Sequence, residues 1–269
     1  MKIVFFGSSK HVLPAIRVLK DKFELVLVIT TEEDSSETVP NFCKTGNIPI
    51  LPIKKFDNEA IKTIENVESD IAVLGYFGLM IPNKILDFFS KGIINLHPSL
   101  LPKYRGPTPV QETILNGDKK TGISIIKLDT QVDHGPVLFQ KDEQIEDSDT
   151  ADSLYAKLFK LGADHLPQVL NDYVNGILKP APQDHERATF TNLLKKENGF
   201  IESDSPPPPD KIKKMVKAYF PWPGVFFKTK INGDEKIIKL LPNERIQVEG
   251  KKPMNYKDFI NGYGEGKEI

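Results

Sequence analysis

The chain has 269 residues, 39% hydrophobic and 27% charged, and its 36 basic and 37 acidic side chains leave a net charge of −1. That balance excludes a disordered polyelectrolyte and a protein whose whole surface clamps nucleic acid. A single cysteine, Cys43, excludes an intramolecular disulfide and a cysteine-cluster metal site.

Lys2–Phe6 reads as a short buried strand running into Gly7-Ser8-Ser9, and Val12–Leu19 as a helix with Val12, Ile16 and Leu19 on one stripe. Phe23–Thr30 and Pro49–Leu51 read as the next strands and Ala60–Val67 as a helix. Asp70–Leu74, Gly92–Leu96 and Gly122–Leu128 read as the fourth, fifth and sixth strands. Strands separated by helices predict an α/β fold with a mostly parallel sheet covered on both faces. Its ligand is expected beyond the carboxyl ends of the strands. A long helix follows over Asp152–Gly176. The composition then changes. Pro180, Pro182 and Pro206–Pro209 cannot sit inside a helix or a central strand and read as a stiff linker. Asp210 is placed to cap a helix carrying Ile212, Met215, Val216 and Tyr219 on one face. Val225–Ile231 and Lys236–Leu241, split by Asn232-Gly233-Asp234, predict a β-hairpin. The expected organisation is a main domain over 1–187, a linker over 188–209 and a small β-containing domain over 210–269. No apolar run reaches membrane-spanning length and the N-terminus lacks a signal-peptide layout, so a cytoplasmic protein with no membrane partner is expected.

Charge divides unevenly: residues 188–269 are net +4 and residues 1–187 net −5. Lys211, Lys213, Lys214 and Lys217 gather on one predicted helix, either as the footprint of an anionic partner or as a solvated surface. Gly7-Ser8-Ser9 lies between a strand and a helix, a position that can cradle phosphate. It lacks the glycine spacing of a dinucleotide loop, and no Walker pattern occurs, so neither NAD nor ATP is predicted. The densest stretch is Asn95-Leu96-His97 at the end of the fifth strand. Alternation puts both polar side chains on one face, about 7 Å apart. Asn95 can donate its amide to a developing oxyanion, and His97 can move a proton near neutral pH. The alternative is a strand-end histidine bonded to a carbonyl. Asp129 and Asp133 follow the sixth strand, and a carboxylate from there beside His97 would orient its ring. No glycine-flanked serine nucleophile and no metal-ligand spacing is present.

The run Asn95-Leu96-His97-Pro98-Ser99-Leu100-Leu101-Pro102-Lys103-Tyr104-Arg105-Gly106 resembles the signature of the 10-formyltetrahydrofolate-dependent formyltransferases. Tyr76–Pro82, Gly117–Ser124, Asp129…Asp133…Gly135-Pro136 and Phe220–Gly224 fit the same family. The resemblance implies a Rossmann-like catalytic domain with a shortened C-terminal domain. It implies 10-formyltetrahydrofolate as formyl donor and an amine as acceptor, with Asn95, His97 and Asp133 at the family's catalytic positions. Ser99, Leu100, Leu101 and Pro102 match a folate-contacting turn. Phe77, Gly78, Leu79, Met80 and Ile81 would line the pterin slot, with Asp129 on the cofactor side. Gly7, Ser8, Ser9 and the four lysines are the candidate acceptor contacts. The implied acceptor is initiator methionyl-tRNA. A nucleotide-linked amino sugar is the alternative, favoured by the short acidic stretch Glu32–Glu37 and the short C-terminal module. A folate-binding protein without transfer activity is the third reading.

Overall fold

The computed structural model describes residues 1–32, 38–231 and 233–263. They divide into two compact units. The first comprises 1–109, 120–144 and 155–191, and the second 110–119, 145–154 and the described residues from 192 on. In chain order the elements up to residue 174 are β1 (Lys2–Phe6), α1 (Leu13–Lys22), β2 (Glu24–Thr31), α2 (Thr38–Thr45), β3 (Ile50–Ile53), α3 (Asn58–Glu65) and β4 (Ile71–Leu74). Then come α4 (Asn83–Phe88), β5 (Gly92–His97), α5 (Pro109–Asn116), β6 (Lys120–Lys127), β7 (Val137–Gln144) and α6 (Ala151–Val174).

The first unit is built on a seven-stranded sheet of order β3-β2-β1-β4-β5-β6-β7. Neighbours from β3 to β5 are parallel, whereas β6 runs antiparallel to β5 and β7 antiparallel to β6. Every residue of β5 is buried, as its unbroken run Gly92-Ile93-Ile94-Asn95-Leu96-His97 requires of a strand covered on both faces. Val4, Phe6, Ile29, Ala72, Ile93 and Phe77 belong to one apolar cluster, with the rings of Phe6 and Phe77 edge to face at 5.4 Å. Cys43 is wholly buried on α2, and that burial pushes its thiol up to about 11, as befits a packing residue.

No strand is predicted over Val137–Gln144, yet β7 pairs with β6 along its length. Its inner half is partly buried, but Gln140, Lys141, Asp142 and Gln144 stand exposed. An edge strand carries such charges and hides its apolar alternation.

The second unit holds α7 (Pro209–Ala218), β8 (Val225–Ile231), β9 (Asp234–Leu241), β10 (Arg245–Val248), β11 (Met254–Asn255) and α8 (Tyr256–Tyr263). Its four strands form an antiparallel sheet in the order β11-β10-β9-β8. Ile231 pairs with Asp234, as a two-residue hairpin connection demands. Asp210 does not cap α7. The helix begins two residues earlier than such a cap would set it, after Pro208, so Asp210 sits inside the first turn, where its charge faces the positive end of the helix dipole.

β6 and β7 are joined by a loop closed where Lys127 N–H donates to the Pro136 carbonyl at 3.0 Å. Gly135 is forced there: a Cβ would stand 1.9 Å from the Lys127 carbonyl oxygen. Gly135→Ala is expected to destabilise the protein by roughly 1–3 kcal/mol, since the obstacle is backbone and cannot rotate away. Chemical denaturation checks this, and an unchanged midpoint would remove the constraint.

Candidate active site

β5 delivers Asn95 and His97 to one face of the sheet, both nearly buried, at 5% and 4% exposure. The register shows how Asp133 reaches them. His97 lies opposite Ser124 and Ile94 opposite Lys127, so antiparallel β6 ends toward the amino end of β5. The loop after it therefore does not leave at the carboxyl edge, as a parallel strand would place it. It folds back over the sheet face instead. Asp133 Oδ1 accepts from the Asn95 amide at 3.2 Å and lies 3.3 Å from His97 Nδ1. Asp133 Oδ2 accepts from the Gly106 backbone N–H at 2.7 Å. The Asp133 backbone is left-handed, with φ 49°.

The other ring nitrogen of His97, Nε2, lies 2.9 Å from the Tyr104 carbonyl oxygen. A carbonyl only accepts, so Nε2 carries a hydrogen, and Nδ1, facing a carboxylate, is placed to hold a second one when the ring is protonated. The ring thus meets the carbonyl of the strand-end reading and the orienting carboxylate together. Burial, the strongest single influence, pushes His97 toward its neutral form. The charge and hydrogen bond of Asp133 and the Tyr104 carbonyl outweigh it, against a smaller opposing effect of Arg105, and hold the ring above its ordinary 6.5. Burial pushes the Asp133 carboxyl up. The His97 charge and N–H, the Gly106 N–H and Arg105 more than offset this and hold it below 3.8. Among the described residues, Asn95 gives one amide hydrogen to Asp133 and keeps the other for a further acceptor. A buried imidazolium with an adjacent free amide hydrogen is suited to stabilising an oxyanion and releasing a proton.

The remaining predicted site residues fall into distinct settings. Ser99 is fully buried, its hydroxyl donating to the Lys103 carbonyl at 2.6 Å, and Leu101 is buried as well. Leu100 and Pro102 are half-buried. Ser124 pins this turn, donating to the Ser99 carbonyl and accepting from Leu101 N–H. Phe77 turns its ring into the core, whereas Gly78 and Met80 are exposed and Leu79 and Ile81 half-buried. Gly78 has φ 79°, and nothing lies within 4 Å of where its Cβ would be. Asp129 pairs with His134 Nδ1 at 2.6 Å, not with His97. Gly7 N–H and Ser8 N–H bond the Ile29 and Tyr76 carbonyls, and the Ser8 hydroxyl takes the Thr31 N–H at 2.8 Å. Ser9 Oγ bonds the His11 N–H. On α7, Lys217 donates to the Asp147 carbonyl and Lys214 packs near Gly117, while Lys211 and Lys213 are exposed. Of the acidic stretch only Glu32 is among the described residues. No group of three or more His, Cys, Asp or Glu side chains among the described residues is placed to hold a metal ion. No described helix is long and apolar enough to cross a membrane.

Three contributors lie outside the residues singled out for chemistry: the Tyr104 carbonyl, the Gly106 N–H and Gln183. The first two are backbone groups within the quoted signature, and their side chains carry no hint of these bonds. Gln183 sits between Pro182 and Asp184 without any motif.

A family model described as formyl transferase matches residues 1–170. The chain belongs to the formyl transferase family. A protein named methionyl-tRNA formyltransferase from Roseiflexus castenholzii is 37% identical over 235 residues, covering 83% of this chain and 74% of its own. The protein of the same name from Thermodesulfovibrio yellowstonii is 31% identical, over 97% of this chain and 95% of its own. Among solved structures, a sugar N-formyltransferase from Shewanella sp FDAARGOS_354 superimposes with a TM-score of 0.70 at 19% identity, covering 90% of this chain and 98% of that one, which speaks to the fold.

The buried pair has a defined pH signature. His97, with a raised folded value, contributes stability that is full below its unfolded value near 6.5 and lost as pH rises through the folded one. Asp133, with a lowered folded value, contributes stability that is full above 3.8 and lost as pH falls through its folded value. Asp133→Asn should therefore cost most stability at about pH 4–6 and progressively less on the alkaline side. In the variant, burial acts on His97 without the carboxylate, so the ring should titrate below its ordinary value. Proton NMR of the histidine ring reads this directly, and a His97 titration equal to wild type would break the assigned pairing.

Proposed function

We propose that this chain transfers the formyl group of 10-formyltetrahydrofolate to the amino group of initiator methionyl-tRNA. The observation that carries the chemistry is the buried Asn95–Asp133–His97 cluster. Support for the acceptor comes from the relative named methionyl-tRNA formyltransferase that matches 97% of the chain, C-terminal unit included.

The donor supplies an activated formyl group on a nitrogen that can leave. The acceptor amine forms a new bond to the formyl carbon while charge gathers on the formyl oxygen. The second amide hydrogen of Asn95 and the His97 imidazolium are the donors for that oxygen, and their burial makes each count for more than in water. Breaking the old carbon–nitrogen bond requires a proton on the leaving nitrogen, and one proton must depart from the acceptor nitrogen. Protonated His97 has no lone pair, so it acts first as donor. Its Nε2 hydrogen rests on the Tyr104 carbonyl, a weaker acceptor than an oxyanion or an amine. Once neutral, the ring can take the proton that the acceptor gives up. Asp133 holds the ring in place and stabilises its charged form throughout.

His97→Ala is expected to reduce turnover by about 10²- to 10⁴-fold with the fold retained. Single-turnover formylation monitored beside circular dichroism checks this, and near-normal turnover would exclude His97 from the reaction. The acceptor is tested by supplying 10-formyltetrahydrofolate with charged initiator tRNA and, separately, with nucleotide-linked amino sugars. Formylated methionine is expected; formylated sugar alone would establish the other acceptor. If tRNA binds α7, replacing Lys211 and Lys213 with Gln should raise the tRNA KM and flatten its salt dependence, because each lost phosphate contact releases fewer counterions. Lys214 and Lys217, half-buried against their own unit, should matter less. Salt-independent tRNA kinetics in both proteins would make the helix a solvated surface.

A further inference from the structure

Gln183 is buried, 7% exposed, and stands between two backbone segments that must stay in register. Its Nε2 donates to the Asp133 carbonyl at 2.8 Å and to the Gly135 carbonyl at 2.7 Å. Its Oε1 accepts from Arg105 Nε at 3.1 Å and Arg105 Nη2 at 2.7 Å. An amide has two donors and two acceptor positions, and here all four are used. The amide therefore has one orientation only: reversing it would set oxygen against two carbonyls and hydrogens against a guanidinium.

The chain around Gln183 is anchored on both sides. Ala181 exchanges backbone hydrogen bonds with Val137 at 2.7 and 2.8 Å, at the start of β7. Further on, Thr189 accepts from the Arg105 N–H, and Thr191 donates to the Arg105 carbonyl, both at 2.8 Å. Arg105 is itself nearly buried, with Nη2 also 2.8 Å from His185 Nδ1. Segment 181–191 thus spans the two stretches that hold His97. One is 104–106, which offers the Tyr104 carbonyl to the ring and the Gly106 N–H to Asp133. The other is 133–135, which carries the carboxylate. Gln183 touches neither His97 nor Asn95 in any bond described above. It joins the two stretches that do.

We infer that Gln183 is a positioning residue for formyl transfer, its single amide setting the Asp133 loop in register with the Tyr104–Gly106 segment so that His97 is gripped from both sides. The kinetic part of this inference rests on the proposed reaction; the placement of His97 does not. Removing the amide leaves two buried carbonyls and a guanidinium without their partner, and the loop must shift to re-satisfy them. A displacement of an ångström at such a site costs about 10²-fold in rate.

The test compares wild type with Gln183→Met, which keeps the length and loses every hydrogen bond. Turnover, donor and acceptor KM, and the His97 NMR titration are measured for each. The expected result is a kcat lowered by about 10²-fold with both KM values within about threefold of wild type. The charged groups that face His97 are Asp133 from the β6–β7 loop and Arg105 from the 104–106 segment. Asp133 has the larger effect, so loosening its loop should move the His97 titration to lower pH. A kcat close to wild type, or a loss expressed only in KM, overturns the inference. If wild type itself transfers no formyl group to any amine, the proposed function fails, and the titration alone decides the placement: a downward move upholds it and an unchanged value overturns it. Should Gln183→Met fail to fold, Gln183→Asn, which keeps the amide but cannot span the gap, takes its place. If that variant is unfolded too, residue 183 serves folding and the positioning role falls.

Discussion

A carboxylate buried over the face of a sheet is the constraint around which the first unit is organised. Asp133 is 9% exposed, and an ionised group so placed is tolerated only when its oxygens are occupied. The donors come from two parts of the chain: Asn95 and His97 from one strand, and Gly106 from the segment beyond it. Each fixes something else in turn. The strand sets the spacing of Asn95 and His97, and the Gly106 bond draws 104–106 close enough for the Tyr104 carbonyl to meet the far side of the ring. Charge and geometry are coupled here, because the same contacts that aim the imidazole also raise its hold on a proton.

Much of this arrangement is legible in the linear chain. Asn95 and His97 share a face because side chains alternate in a strand, and the apolar run before them marks that strand as central. Asp133 could be named as a candidate from its place after the next strand and from the family signature. Its route to the site could not. Whether β6 runs parallel or antiparallel to β5 is decided by pairing partners far apart in sequence, and the direction determines at which edge the following loop begins. The Tyr104 carbonyl and the Gly106 N–H belong to the backbone, which every residue possesses, so residue type says nothing of them. Gln183 lies 50 and 48 positions from the two carbonyls it holds, and a lone glutamine between prolines and charges carries no periodicity.

The fold shows the same division. Strands buried on both faces announce themselves by continuous branched apolar runs, as β1, β2 and β5 do. An edge strand such as β7 is half-wetted, and its Lys141-Asp142-Glu143 resembles a loop. Proline punctuation marks where α7 begins but misleads about how. Once Pro208 and Pro209 hold the chain at the helix entrance, the helix starts without a side-chain cap, and the acid meant for that duty falls into the first turn.

The left-handed backbone at residue 133 narrows what evolution can place there. Glutamate would preserve the charge, but its longer side chain has no particular tolerance for a φ of 49° and would carry the carboxylate past His97. Glycine would relax the backbone and forfeit the charge. Asparagine and aspartate are the side chains that most readily accept this conformation, and only one of them is an anion. The identity of the residue is thus specified twice, by electrostatics and by chain geometry. A lineage drifting away from aspartate at this position has no intermediate acid through which to pass.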